Sequence, residues 1–103
     1  MPKKTLENLT EPMLYILMAL SERPMCGAEI AETAKERSKG RVKLGPATIY
    51  TLLAKFQEER LITEISVEGR KRSYRLTDKG RAAFAEELAR LRSCVKDGLE
   101  ENS

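Results

Sequence analysis

LGPATIYTLLAKFQEERLITEISVEGRKRSYRLTDKG, residues 44–80, is the stretch that decides the fold. Ile49, Leu52, Leu53 and Phe56 recur at i, i+3, i+4 and i+7, and this spacing predicts a helix with one apolar face from Pro46 to about Glu59. Leu61, Ile62, Ile65 and Val67 follow as a short β-rich run. Glu68 and Gly69 can turn the chain, and Ser73, Tyr74 and Leu76 lie on a return strand. Between the strands sit Arg70, Lys71 and Arg72, three adjacent cations with no intramolecular partner in view. An amphipathic helix followed by a hairpin with a cationic tip is the order required of a winged helix-turn-helix, in which the helix enters a DNA groove and the hairpin grips the backbone.

Working outward toward the start, Thr10 offers an N-cap, Glu11 suits the positive end of a helix and Pro12 is tolerated in its first turn. Met13, Leu14, Ile16, Leu17 and Leu20 leave this helix little polar surface, so it is expected in the core and to end near Glu22, before Pro24. Gly27 opens a second, shorter helix carrying Ile30, Ala31 and Ala34. The following KERSKGRVK is too polar and Gly-interrupted to continue it, and should bring Lys35, Arg37, Lys39, Arg41 and Lys43 near the DNA side. Toward the end, Thr77 can cap a last helix running to about Asp97. Phe84, Leu88, Leu91 and Val95 on it alternate at spacings of four and three, an a/d seam that calls for a partner helix. The expected architecture is mainly α with a small two-stranded β-wing: a winged helix-turn-helix over residues 1–76, and a C-terminal dimerisation helix and tail over 77–103, within one structural domain.

Charge supports the same reading. The chain of 103 residues has a net charge of +3, but residues 35–75 hold eleven Lys and Arg against five Glu. That segment carries +6 between flanks of −2 and −1, the pattern of a nucleic-acid footprint. The candidate DNA contacts are Lys43, Thr48, Tyr50, Thr51, Lys55, Arg70, Lys71 and Arg72. Threonine hydroxyls can bond bases or phosphates and threonine methyls can touch thymine methyls, while the cations neutralise phosphates. Tyr50 is equally readable as a half-buried edge of the core.

The chain contains no histidine, which removes Ser-His-Asp and Cys-His nucleophile pairs and every His-bearing zinc motif. Its six glycines form no phosphate loop. An enzyme is not expected, nor is a cofactor or metal. Cys26 and Cys94 follow neither metal-ligand nor secreted-disulfide spacing and are read as buried small apolar residues. With no cleavable leader, and with Met13–Leu20 too short to cross a bilayer, a cytoplasmic protein with no membrane partner is expected. Two other functions remain open on the residues: a winged-helix adaptor between proteins, for which the cationic wing has little use, and a redox or metal sensor built on the two cysteines.

With these elements in place, the sequence resembles the PadR family of bacterial transcriptional regulators, and within it the short subgroup. The likeness rests on CGAEI at 26–30, GPATIYTLLAKFQEERLI at 45–62 and GRKRSYRLTDKGR at 69–81, and spans nearly the whole chain. It implies a repressor that dimerises through its last helix, places the third helix of each subunit in the major groove of a pseudo-palindromic operator and lays each wing on the backbone. Ala47 stands where the family usually has glycine, Ala28 where it often has an aromatic, and Arg60 where a glycine commonly closes the recognition helix. The likeness also implies a small-molecule effector at the dimer interface, commonly against a tryptophan. This chain has none, and leaves Tyr15, Met18, Cys94 and Val95 as candidates for such a wall.

Overall fold

The computed structural model describes residues 9–65 and 72–100. Several helix boundaries have a local chemical cause. Helix α1, Glu11–Glu22, begins where the Thr10 hydroxyl accepts a hydrogen bond from the Met13 amide at 3.3 Å. It ends before Pro24, which cannot continue it. Helix α2, Gly27–Arg37, follows the two-residue strand β1, Met25–Cys26; the Glu29 carboxylate turns back to accept from the Cys26 amide at 2.9 Å. Helix α3 is Pro46–Glu58, strands β2 and β3 are Ile62–Ile65 and Ser73–Leu76, and helix α4 is Asp78–Glu100. Thr77 caps α4 as expected, its hydroxyl accepting from the Gly80 amide at 3.0 Å.

Two boundaries differ from the expectation. Helix α2 continues through Lys35, Glu36 and Arg37, because Lys35 and Arg37 complement the negative end of its dipole and Arg37 is held by the Glu22 carboxylate at 2.6 and 2.9 Å. Helix α4 extends to Glu100 rather than Asp97. The sheet also has one strand more than the two expected. Strand β3 pairs antiparallel with β2, Ile62 opposite Leu76, and on its other side with β1, Met25 opposite Tyr74.

The core lies where α1, α3 and the sheet meet. Ile16, Leu17, Ile30, Leu53 and Phe56 are all at most 1% exposed, which justifies reading the apolar stripe of α3 as its inner face. Burying each such side chain contributes on the order of 2 kcal/mol. The first turns of α4 belong to this core as well: Ala83 and Phe84 pack against it, and Gly80 lies on the Leu61 carbonyl. Beyond them the helix leaves the body of the molecule, with Leu88 41%, Val95 59% and Leu99 76% exposed. Among the described residues no helix is long and apolar enough to cross a membrane.

Helices α2 and α3 close in the same way, on a cation in the left-handed region. Arg60 has φ 64°, its amide donates to the Gln57 carbonyl, and the Leu61 amide donates to Phe56; Lys39 has φ 57°, with equivalent bonds from Lys39 to Glu36 and from Gly40 to Lys35. This is the Schellman closure, in which glycine is the usual left-handed residue. A side chain in that conformation is disfavoured by roughly 1 kcal/mol. Arg60→Gly should therefore stabilise the protein by about 0.5–1 kcal/mol, read as a rise of roughly 4 °C in Tm. An unchanged or lower Tm would mean that the Arg60 side chain makes compensating contacts.

Candidate nucleic-acid interface

Helix α3 turns 100° per residue, so its exposed residues can be placed around its axis. Ala47, Thr51 and Ala54 run along the crest facing away from the core. Thr48 and Lys55, seven residues apart, share one edge of that exposed arc, and Tyr50 lies on the other, toward α2. Thr48, Thr51 and Lys55 are all exposed, as is Lys43 in the segment leading into the helix. The crest of the first two turns is thus uncharged and slender, while the cations stand beside it. Tyr50 is 51% exposed, with its hydroxyl over the start of α2 at Gly27. Between the two helices lies an apolar depression of about 270 Å³, bounded by Ala28 and Ala31 on one side and Pro46 and Ile49 on the other.

The hairpin adds charge beside this helix. Tyr74 and Leu76 point inward and Arg75 outward, opposite Thr63 on the partner strand. Arg75 has no hydrogen-bond or ion-pair partner among the described residues, and the strand alternation of SYRL was a signal by which sequence alone could have singled it out. Arg72 is exposed, with Nε 3.4 Å from Glu64 Oε2, so part of its charge is answered within the wing. Arg70 and Lys71 fall outside the described residues.

Not every cation of the basic segment is available. Arg37 is bound to Glu22, and Arg41 binds Glu11 through Nε at 3.1 Å and through Nη2, which also donates to the Tyr15 hydroxyl at 3.3 Å. These hydrogen bonds, to Glu11 first and Tyr15 second, push the Arg41 pKa above its already high value. Both arginines tie the α2–α3 region to α1, so their charge is answered by carboxylates of that helix. Lys35, Lys39 and Lys43 are exposed without such partners among the described residues.

On α4 the expected seam divides. Phe84 is half-buried against its own core, Leu91 is intermediate, and Leu88 and Val95 are exposed. Glu87 is buried and paired with Arg90 at 2.6 and 3.1 Å, an acid on α4 that the apolar spacing did not reveal. Of the two cysteines, Cys26 is buried as expected, but Cys94 is exposed, because it lies on α4 beyond the body of the domain. No group of three or more potential metal-ligating side chains occurs among the described residues.

A helix with a free outer crest, packed on α2 and followed by two antiparallel strands, within a core shared with α1 and the start of α4, defines a winged helix-turn-helix protein. Residues 16–86 match the family model described as the transcriptional regulator PadR-like family. The chain belongs to this family. Among curated proteins it is 32% identical over 84 residues to an uncharacterised 37.1 kDa protein in transposon TN4556 of Streptomyces fradiae; the match covers 79% of this chain and only 24% of that protein. Among solved structures, a transcriptional regulator from Clostridium thermocellum superposes with TM-score 0.76 at 19% identity, covering 88% of this chain and 92% of that one. A PadR family transcription regulator from Clostridium difficile gives 0.75 at 22%, covering 91% and 100%. At such identities the likeness establishes the shared fold.

Proposed function

We propose that the chain acts as a homodimeric, sequence-specific DNA-binding repressor in the cytoplasm, occupying a pseudo-palindromic operator and released by a small-molecule effector. The observation that carries this reading is the pairing of the exposed outer arc of α3, with Thr51 on its crest and Thr48 and Lys55 along one edge, with a wing whose stem presents Arg72 and Arg75. In this reading Thr48 and Thr51 contact base edges. Tyr50 contacts the duplex from the α2 side, and Lys43, Lys55, Arg70, Lys71 and Arg72 hold phosphates. Residues 1–76 read DNA, and 77–103 pair the subunits through Leu88, Leu91 and Val95, with Phe84 anchoring the helix to its own domain. A two-fold axis would set the two recognition helices about one helical turn apart, roughly 10 bp between half-site centres.

Selection of bound duplexes from random DNA tests the whole reading. Recovery of an inverted repeat supports it, and no duplex binding at low salt would overturn it in favour of an adaptor role. Electrostatics supplies a second measurement. A dimer that neutralises roughly six to ten phosphates should lose about a thousandfold or more in affinity between 50 and 200 mM salt. The triple variant Arg70→Ala, Lys71→Ala, Arg72→Ala should bind every sequence more weakly and give a shallower slope of log affinity against log salt. An unchanged slope would exclude the wing as a phosphate contact.

A further inference from the structure

The Tyr50 ring meets Gly27 where helix α2 begins. Gly27 is the first residue of α2 and is buried, and its φ is not in the left-handed region, so backbone freedom is not what calls for a glycine there. What the position requires is space. A methyl group at Gly27 would stand 2.9 Å from the Tyr50 hydroxyl oxygen and 3.1 Å from Cζ, against 3.4 Å, an ordinary contact, from the nearest methyl of Ile49. The bare face of Gly27 is therefore the surface on which the Tyr50 ring lies. Tyr50 is also the large apolar side chain that α3 leaves exposed, on the edge of its outer arc toward α2.

We propose that Gly27 is a positioning residue for DNA reading, its missing side chain letting the Tyr50 ring lie across the start of α2 and so fixing where the Tyr50 hydroxyl meets the duplex. This rests on the reading of α3 as the recognition helix and deepens it. A tyrosine ring turns about two side-chain bonds, and half of this one is in solvent. Left unsupported, it would sample several orientations and lose part of its binding energy in becoming ordered. Seated on Gly27, it is ordered before DNA arrives. The steric consequence of a methyl group falls on a movable side chain and not on backbone, so Gly27→Ala should shift Tyr50 while leaving the fold nearly as stable.

The test compares the parent with Gly27→Ala, Tyr50→Leu and the double variant. In the free protein, the aromatic ring should displace the Gly27 α-proton resonances upfield, and Tyr50→Leu should return them to ordinary positions. On a duplex selected with the parent, Gly27→Ala should weaken binding about tenfold, the scale of one lost contact, with Tm lowered by no more than a few degrees. Tyr50→Leu should show a similar loss, and the double variant should bind no more weakly than Tyr50→Leu alone. Losses that multiply in the double variant, an undiminished affinity for Gly27→Ala or for Tyr50→Leu, or glycine resonances indifferent to Tyr50→Leu would each overturn the proposal while leaving the DNA-binding reading intact. A parent protein that selects no duplex at low salt would remove that reading, and this inference with it.

Discussion

Gly80→Ala should unfold the protein at a temperature lower than the parent by roughly 12 °C or more, corresponding to a loss of about 3 kcal/mol or more. The reason is a single close approach. A Cβ at Gly80 would stand 2.0 Å from the Leu61 carbonyl oxygen and 2.9 Å from its carbon, well inside van der Waals contact. That oxygen is backbone and cannot rotate aside as a side chain would. It also accepts a hydrogen bond from the Thr77 amide at 3.0 Å, the single proton of the Thr77 hydroxyl is shared between the Arg60 carbonyl at 2.7 Å and this oxygen at 3.1 Å, and Lys79 Nζ donates to the Glu59 carbonyl at 3.0 Å. Relieving the clash means separating α4 from the junction of α3 and β2 and leaving several of these groups without partners. Gly98→Ala is the control. Nothing lies within 4 Å of its Cβ position, and alanine is the better helix former, so it should raise stability by about 0.5–1 kcal/mol. Thermal melts followed by circular dichroism decide the matter. A Gly80→Ala variant melting within two degrees of the parent would show that α4 is not seated on Leu61 in this way.

Placing lysines on the outer seam, with Leu88→Lys and Val95→Lys together, should give a monomer by sedimentation and reduce affinity for a two-half-site duplex by about a hundredfold or more. This is the scale of effect when two linked binding events become independent. Both residues are exposed in the single subunit, Leu88 by 41% and Val95 by 59%, and neither is part of its core, so the domain itself should melt much as before. The choice of lysine separates two explanations. Added positive charge on its own would strengthen attraction to DNA, so a loss of affinity could come only from the lost pairing. A double variant still dimeric at micromolar concentration would show that the exposed residues of α4 are not the pairing surface. The expected loss would then disappear with it.

Where local chemistry sets an element, the sequence revealed it. The stripe of Ile49, Leu53 and Phe56 marked the inner face of α3, and the caps at Thr10 and Thr77 form as their residue types dictate. Ser73, Tyr74 and Leu76 marked the return strand that forms β3. What stayed hidden depends on partners distant in the chain. The bond of Arg37 to Glu22 spans 15 residues and that of Arg41 to Glu11 spans 30, and neither has a local signature, so a count of charge by segment credited both arginines to the DNA side. Strand β1 has only Met25 and Cys26, too few for any period, and exists because the edge of β3 is there to receive it. The exposure of Cys94 likewise follows from how far α4 outruns the domain, which no property of the cysteine announces. Glycines 27 and 80 are the sharpest instance. Their importance lies in what approaches them, Tyr50 in one case and a carbonyl in the other, and a glycine's neighbours in space are not written beside it in the chain.

The two left-handed cations, Lys39 and Arg60, set a limit on how robust this molecule can be made. Exchanging them for glycine would be an obvious route to heat resistance, since each relieves a backbone conformation that favours an unsubstituted residue. Each exchange also removes one unit of positive charge from a chain whose formal surplus is only three. A variant hardened in this manner would hold its shape at higher temperature and grip polyanions less well. Durability and grip are thereby set against each other at the same two residues.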